Sequence, residues 1–330
     1  MCVVIALSAY RFYKSLHAKI SFNPKYQERH QVYIERMPDD LTFAGEQVEF
    51  NSPESYTKFY REQHFNTRKN SSTRLLFRNV RHWLPHIAKV LQENGLPEDL
   101  KYVAVAESNL LNDAVSSKGA CGFWQLREET AIELGLEINE EVDERFHPIK
   151  STKAAVRYFR QAHREFGNWT SAAASYNRGI SGLQRAYRNQ NVNSYYELAL
   201  NSETSRYLYR ILAIKDLISN PDRYGVHVRR NTFKINKVRV DSTITDLSAF
   251  ALKQGLNYEI LTGYNPWIKK NRLTIKQKGK YYILLLPDKA YMPKEIETLA
   301  ADSVISSLKH EEKPAPSNEW VEPSVRINSF

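Results

Sequence analysis

Cysteine is nearly missing from this sequence: 330 residues hold two, Cys2 and Cys121. So small a number excludes a disulfide framework and says nothing of the redox compartment. Metal-ligand spacing is missing too. The nine histidines are scattered, with no His-x-x-x-His pair beside an acid, so neither a metal nor a cofactor is expected. No apolar run approaches the ~20 residues that cross a bilayer. The N-terminal "MCVVIALSAYRFYKSLHAK" is too short for a span, and Arg11, Lys14 and Lys19 follow its apolar part, whereas a secretory signal carries its positive charge in front. It reads as the remnant of a longer signal or membrane anchor, or else as a buried N-terminal strand. Acid is in deficit: 37 Asp/Glu face 47 Lys/Arg, a net charge of +10. A basic chain suits an anionic partner such as nucleic acid, anionic lipid or a wall polymer. Between Asp222 and Ala290, 14 basic residues face five acidic ones. The excess therefore sits in the C-terminal third, which argues against a nucleic-acid channel through the main part of the chain.

Apolar residues make up 42% of the chain, enough for a sizeable core. Residues 20 to 70 are polar, rich in turn-forming residues and without clear period. From Ser72 the pattern turns helical. Leu75, Leu76, Val80, Trp83, Leu84, Ile87, Val90 and Leu91 share a face, Pro85 kinks or restarts the helix, and Gly95 and Pro97 stop it. Further helices are expected from Tyr102 to Glu107, Glu128 to Leu134, Ser151 (as cap) to Phe166, Trp169 to Tyr176 and Glu203 to Ser219. After Pro221 the texture changes. "FKINKVRVDS" and "YYILLLP" read as strands and enclose two helical patterns, "DLSAFALKQG" and "NYEILTGYNP". The expected architecture is mainly α: an N-terminal segment over 1–69 that leads in irregularly, a helical domain over 70–220, a small basic α+β module over 221–309 and a flexible tail over 310–330. The break at Pro221 also predicts that the helical domain folds without residues 222–330.

The stretch "KYVAVAESNLLNDAVSSKGACGFWQL", residues 101 to 126, places one acid at the end of an apolar helix and follows it with an open loop. Apolar surroundings raise the pKa of a carboxyl, and the negative end of the helix dipole acts the same way. Glu107 thus has the character of a general acid for glycoside cleavage. The competing reading is an ordinary helix-end acid reaching into solvent. Ser108 can bond the carboxyl or cap the break. Gly119 and Gly122 let the backbone approach a ligand, and Gln125 offers both donor and acceptor to sugar hydroxyls. Phe123 and Trp124 either pack the core or face a sugar ring. In "AAASYNRG", Tyr176 and Asn177 present two polar tips at a helix end, where an ordinary Asn cap is the plainer reading. In "SETSRYLYR", Asn201 or Ser202 caps a helix, and Glu203 and Tyr207 stand at i, i+4, close enough to meet.

In order and spacing, Glu107-Ser108, "GACGFWQL", "SYN" and "ETSRYLYR" resemble the lytic transglycosylases with a soluble-lytic-transglycosylase, lysozyme-like catalytic domain, and more closely their membrane-bound murein branch. The resemblance covers about residues 70 to 220. It implies an α-helical lysozyme-like fold, the glycan strands of peptidoglycan as substrate and partner, and a place in the bacterial cell envelope, periplasmic and attached to the membrane through the N-terminus. It implies that Glu107 is the catalytic acid, that Ser108, Gln125, Tyr176, Asn177 and Tyr207 bind substrate, and that Gly119, Gly122 and Glu203 support them. The chain departs from the family in having Arg127-Glu128 where Met-Pro is frequent, Cys121 at a usually small position and Arg178 where Ala is common. The C-terminal module, with Asn265-Pro266 between its helices and second strand, resembles a degenerate LysM-type glycan-binding module; a structural add-on is the competing reading. A goose-type lysozyme-like hydrolase and a non-catalytic wall-binding scaffold are the alternative functions. Asp113 and Glu128 are the next acids after Glu107 in sequence and the candidates for a two-carboxylate hydrolase.

Overall fold

The protein is described by a computed structural model that covers residues 41–67, 70–226 and 234–288. The expected signal or anchor remnant and the expected flexible tail lie outside the described residues. Among the described residues no helix is long and apolar enough to cross a membrane.

Residues 42–67, expected to be irregular, form a hairpin and a helix. Thr42–Phe43 (β1) and Glu46–Gln47 (β2) pair antiparallel around Ala44 and Gly45, both at positive φ. That is the geometry two-residue hairpins favour. Pro53–Thr67 (α1) follows. Its buried positions are Ser55, Phe59, Glu62 and Gln63, a helical spacing filled mostly by polar residues. Hydrophobic periodicity therefore cannot show this helix; partners satisfy its polar stripe instead. Gln63 Nε2 donates to Tyr224 Oη at 2.7 Å, and Glu62 pairs with Arg206 at 3.3 Å.

Asn70–Glu93 (α2) runs unbroken with Pro85 inside it, so the proline neither ends nor restarts the helix. Lys101–Ser108 (α3), Glu128–Glu133 (α4), Pro148–Phe166 (α5), Trp169–Arg178 (α6), Ile180–Gln190 (α7) and Ser202–Ser219 (α8) complete the helical region. Ser151 does not cap α5. His147 does, its Nδ1 accepting from Ile149 N at 3.3 Å, with Pro148 at the first helical position where no N–H is needed. Helix α7 escapes the sequence pattern because only Leu183 and Ala186 of it are buried. Helix α8 is the central element, packed against α1, α3 and α6. It buries Tyr207, Leu208, Ile211, Leu212, Ala213, Ile214 and Leu217. Each large aliphatic side chain among these contributes roughly 1.5–3 kcal/mol.

The C-terminal region follows the expected order. Ile235–Val240 (β3), Leu247–Lys253 (α9), Tyr258–Tyr264 (α10) and Tyr282–Pro287 (β4) form a strand–helix–helix–strand unit whose strands pair antiparallel from Ile235↔Pro287 to Val240↔Tyr282. Its core gathers Leu247, Ala251, Leu256, Leu261, Trp267, Leu273 and Leu284, and it includes Val142 of the helical region. The segment before α5 is built into the module. Val142 bridges Ile268, Asp143 N donates to Trp267 O at 2.8 Å and Lys269 N to Glu141 O at 2.8 Å. The His147 ring stacks on Trp267 at 5.2 Å. The module thus shares its core with the segment of the helical region that precedes α5.

Candidate active site

Helix α3 ends where the chain turns left-handed. Asn109 has φ 51° and Leu110 φ 54°. Asn tolerates this conformation and Leu does not, so the break carries strain of the kind found at functional sites. Asn79 Nδ2 reaches across from α2 to the Asn109 carbonyl at 3.1 Å. The break leaves Glu107 in the last turn of α3, between Ala106 and Ser108, both buried. Tyr207 of α8 donates its hydroxyl hydrogen to Glu107 Oε1. Burial raises the pKa of Glu107, and this outweighs the Tyr207 hydrogen bond and the Arg210 charge, which lower it; the Glu203 charge adds a smaller raising influence. Glu107 is thus a desolvated acid with one oxygen held, not a helix-end carboxylate paired in solvent.

The loop from Asn109 to Arg127 is stitched into a defined shape. Cys121 and Leu126 form a small antiparallel bridge, and Gly122 N donates to Ala114 O at 2.8 Å. Phe123 and Trp124 are core residues, 2% and 0% exposed, so neither offers its face to a ring. Their carbonyls tie the loop to the surrounding helices. Ser108 Oγ donates to Phe123 O at 2.9 Å, and Tyr176 Oη donates to Trp124 O at 2.7 Å. Gln125, at φ 47°, turns its amide back onto Gly122 O at 2.9 Å and Ala114 O at 3.3 Å.

The structure brings Glu107, Tyr176 and Tyr207 together, since the Glu107 charge reaches both phenols and, with burial, raises their pKa values. It corrects three assignments. Ser108 is buried and spent on backbone carbonyls, so it fastens the loop and does not face a ligand. Glu203 does not meet Tyr207; its Oε1 accepts from Asn177 Nδ2 at 3.4 Å, while Thr204 Oγ1 donates to Asn177 Oδ1 at 3.0 Å. Gly122 serves no ligand approach: a Cβ there would lie 2.1 Å from Arg145 O. Gly119 has φ +75° with open space around it, so only its backbone conformation calls for glycine. Asn201 supplies the α8 cap, its Oδ1 accepting from Thr204 N at 2.8 Å.

Sequence reasoning missed Arg145 and Asp143. Both are buried, and Arg145 grips both oxygens of Asp143, Nε to Oδ1 at 3.0 Å and Nη2 to Oδ2 at 2.7 Å. Within "EVDERFHP" they look like part of a solvated charge run, and no spacing sets them apart.

Comparison with known proteins agrees with the motifs. Residues 85–198 match the family described as Transglycosylase SLT domain. Residues 236–290 match the Soluble lytic transglycosylase C-terminal LysM-like domain, which bears out the LysM-like reading of the module. Membrane-bound lytic murein transglycosylase D of Escherichia coli (strain K12) is 24% identical over 297 residues, covering 88% of this chain and 63% of that protein. The same enzyme of Escherichia coli O6:H1 gives the same figures, 24%, 88% and 63%. The chain therefore spans less than two thirds of the length of these relatives. Among solved structures, an inactive mutant of the lytic transglycosylase Slt from Pseudomonas aeruginosa is 19% identical with a TM-score of 0.33, over 42% of this chain and 24% of that one.

Proposed function

We propose that the protein is a peptidoglycan lytic transglycosylase of the bacterial cell envelope. It cleaves the β-1,4 bond between N-acetylmuramic acid and N-acetylglucosamine without consuming water. The observation that carries this reading is the state of Glu107: half-buried, pushed above the usual carboxylate range by desolvation, and held on one oxygen by Tyr207. Such an acid holds its proton to higher pH than an ordinary carboxyl does, which is what a general acid for glycoside cleavage needs. Both domain matches support the substrate class.

In this mechanism Glu107 delivers its proton to the glycosidic oxygen as the bond to the muramic anomeric carbon breaks, and the electron pair leaves with that oxygen. Glu107, now a carboxylate, takes the proton of the muramic 6-hydroxyl while the 6-oxygen closes on the anomeric carbon. The product is a 1,6-anhydro sugar. With Tyr207 on Oε1, Oε2 is the oxygen we assign to both transfers. The Tyr207 hydrogen bond and the Arg210 charge favour the carboxylate form, which steadies it between the two steps. Gln125 belongs to the loop and Tyr176 and Asn177 to the end of α6, and the Glu107 charge reaches Tyr176. Gln125 and Asn177 carry the polar groups we assign to sugar hydroxyls, and Tyr176 holds the loop through Trp124 O. No cofactor enters these steps. Membrane attachment through the N-terminus remains part of the proposal.

The test is digestion of purified sacculi by the wild type and by Glu107→Gln. The wild type is expected to clear the suspension and the variant to leave it turbid. Clearing by the variant within a few-fold of the wild-type rate overturns the assignment of Glu107.

A further inference from the structure

A continuous set of contacts joins the C-terminal module to the loop beside Glu107. It starts at the Trp267 carbonyl, which accepts from Asp143 N at 2.8 Å. The Asp143 carboxylate then takes the two-pronged grip of Arg145. The guanidinium does not stop at Asp143. Its Nη1 donates to Gly119 O at 3.1 Å and to Leu126 O at 3.5 Å, one carbonyl at each end of the tight turn that carries Gln125. The Arg145 backbone carbonyl also fills the space over Gly122. Two further contacts hold the same loop from the module side. Asn112 Nδ2 donates to Gly263 O at 2.7 Å. Tyr264 lies against Trp83 at 6.1 Å, and Trp83 lies against Phe123 at 5.3 Å.

We propose that Arg145 is a positioning residue for the Gly119–Leu126 turn, locked by Asp143 to the C-terminal module, so that the module sets the geometry of the catalytic loop. This inference rests on the glycan-cleaving reading of the site. The physical case is one of donor geometry. A buried guanidinium has a planar fork that can satisfy a carboxylate on one side and two carbonyls on the other. An ammonium in the same place keeps the charge but not the fork. Arg145 is 7% and Asp143 5% exposed, so water does not stand in for lost bonds. The turn it holds is fastened to the acid's own neighbour through Ser108–Phe123 and to Tyr176 through Trp124. A shift of the turn therefore moves Gln125 and Tyr176 relative to Glu107. A misplacement of about 1 Å at a reacting centre costs on the order of 10²-fold in rate.

The experiment compares the full chain with Arg145→Lys, and with Asp143→Asn as the milder variant if the first fails to fold. Two readouts are taken well below the unfolding temperature: kcat and KM on soluble glycan fragments, and amide hydrogen exchange in residues 119–126. The expected result is a variant with wild-type circular dichroism, exchange in the turn faster by about tenfold or more, and kcat/KM lower by about 10²-fold with most of the loss in kcat. Wild-type exchange in the turn overturns the proposal, as does faster exchange with unchanged kcat/KM. Absence of glycan cleavage by the wild type counts against the function reading alone, because the exchange measurement needs no substrate.

Discussion

Burial and hydrogen bonding pull the Glu107 carboxyl in opposite directions, and the balance between them fixes two measurable signs. Burial prevails, so the folded pKa lies above the unfolded one. In the pH range between the two values the folded chain binds more protons than the unfolded chain. Stability is therefore fully present below the unfolded value of about 4.3 and is lost as pH rises through the folded one. Glu107→Gln should be more stable than the wild type at pH 7 and no different below pH 4, by thermal unfolding at each pH. A variant less stable at pH 7 would mean that a partner holds the carboxylate ionised. The same variant should lose at least the roughly 10² to 10⁴-fold that general acid–base catalysis supplies. Tyr207→Phe tests the opposing influence. It removes the hydrogen bond that lowers the pKa, so the alkaline limb of the pH–rate profile should move to higher pH while the rate falls; a limb moving to lower pH would contradict the account. At this scale the sequence was legible where chemistry is local. Glu107, Gln125, Tyr176 and Asn177 each sit in a short motif whose neighbours announce a helix end or a turn, whereas the partner of Tyr207, Glu107, comes from another helix and not from its own motif. Ser108 and Gly122 were found but misassigned, because what faces them, Phe123 O and Arg145 O, comes from folding and not from spacing.

Elements became legible in proportion to how apolar their buried faces are. Helix α8, Thr204 and Asp216 apart, and strand β4 bury mainly aliphatic and aromatic side chains, and their patterns stand out. Helix α1 buries Ser55, Glu62 and Gln63 around Phe59, and α7 buries two side chains, so neither announces itself. The N-terminus of α6 shows the same dependence on distant partners. Glu46 of the hairpin accepts from Trp169 N at 2.6 Å and Thr170 N at 2.9 Å, a carboxylate on a helix N-terminus that favours negative charge. The active-site loop, with its paired Cys121 and Leu126, gives a sharp element-scale contrast. Gly122→Ala should cost about 1–3 kcal/mol from overpacking against Arg145 O, in addition to the left-handed backbone cost. Gly119→Ala, with nothing near its Cβ, should cost only about 1 kcal/mol. Denaturant titration of the two variants checks this, and equal costs would show that the 2.1 Å approach is not a constraint.

For the whole molecule, the C-terminal module matters as a packing partner as well as a candidate glycan binder. Its core contains Val142, and His147 joins the start of α5 to β4, with Nε2 donating to Ile283 O at 3.2 Å. Removing residues 236–330 should therefore lower the unfolding midpoint by about 10 °C or more, given about 2–4 °C per kcal/mol for a domain of this size. A truncated chain with the wild-type midpoint would restore the picture of two independent parts. His147 also gives the interface an acid sensitivity. Burial, aided by the Lys150 charge, pushes its pKa down to about 3. The unfolded chain takes up a proton near 6.5, so this contribution is intact above that pH and is lost as pH falls toward 3. His147→Gln should flatten the acid side of the stability profile between about pH 6.5 and 4; a steeper acid side would contradict it.

The central claim is that the muramic 6-hydroxyl, not water, displaces the glycosidic oxygen with Glu107 as both acid and base. Digestion of purified sacculi in ¹⁸O-labelled water, followed by product masses, tests it most directly. The account predicts anhydro-sugar ends that are one water lighter than hydrolysis products and carry no label. Reducing ends that carry ¹⁸O would contradict it and mark the enzyme as a hydrolase.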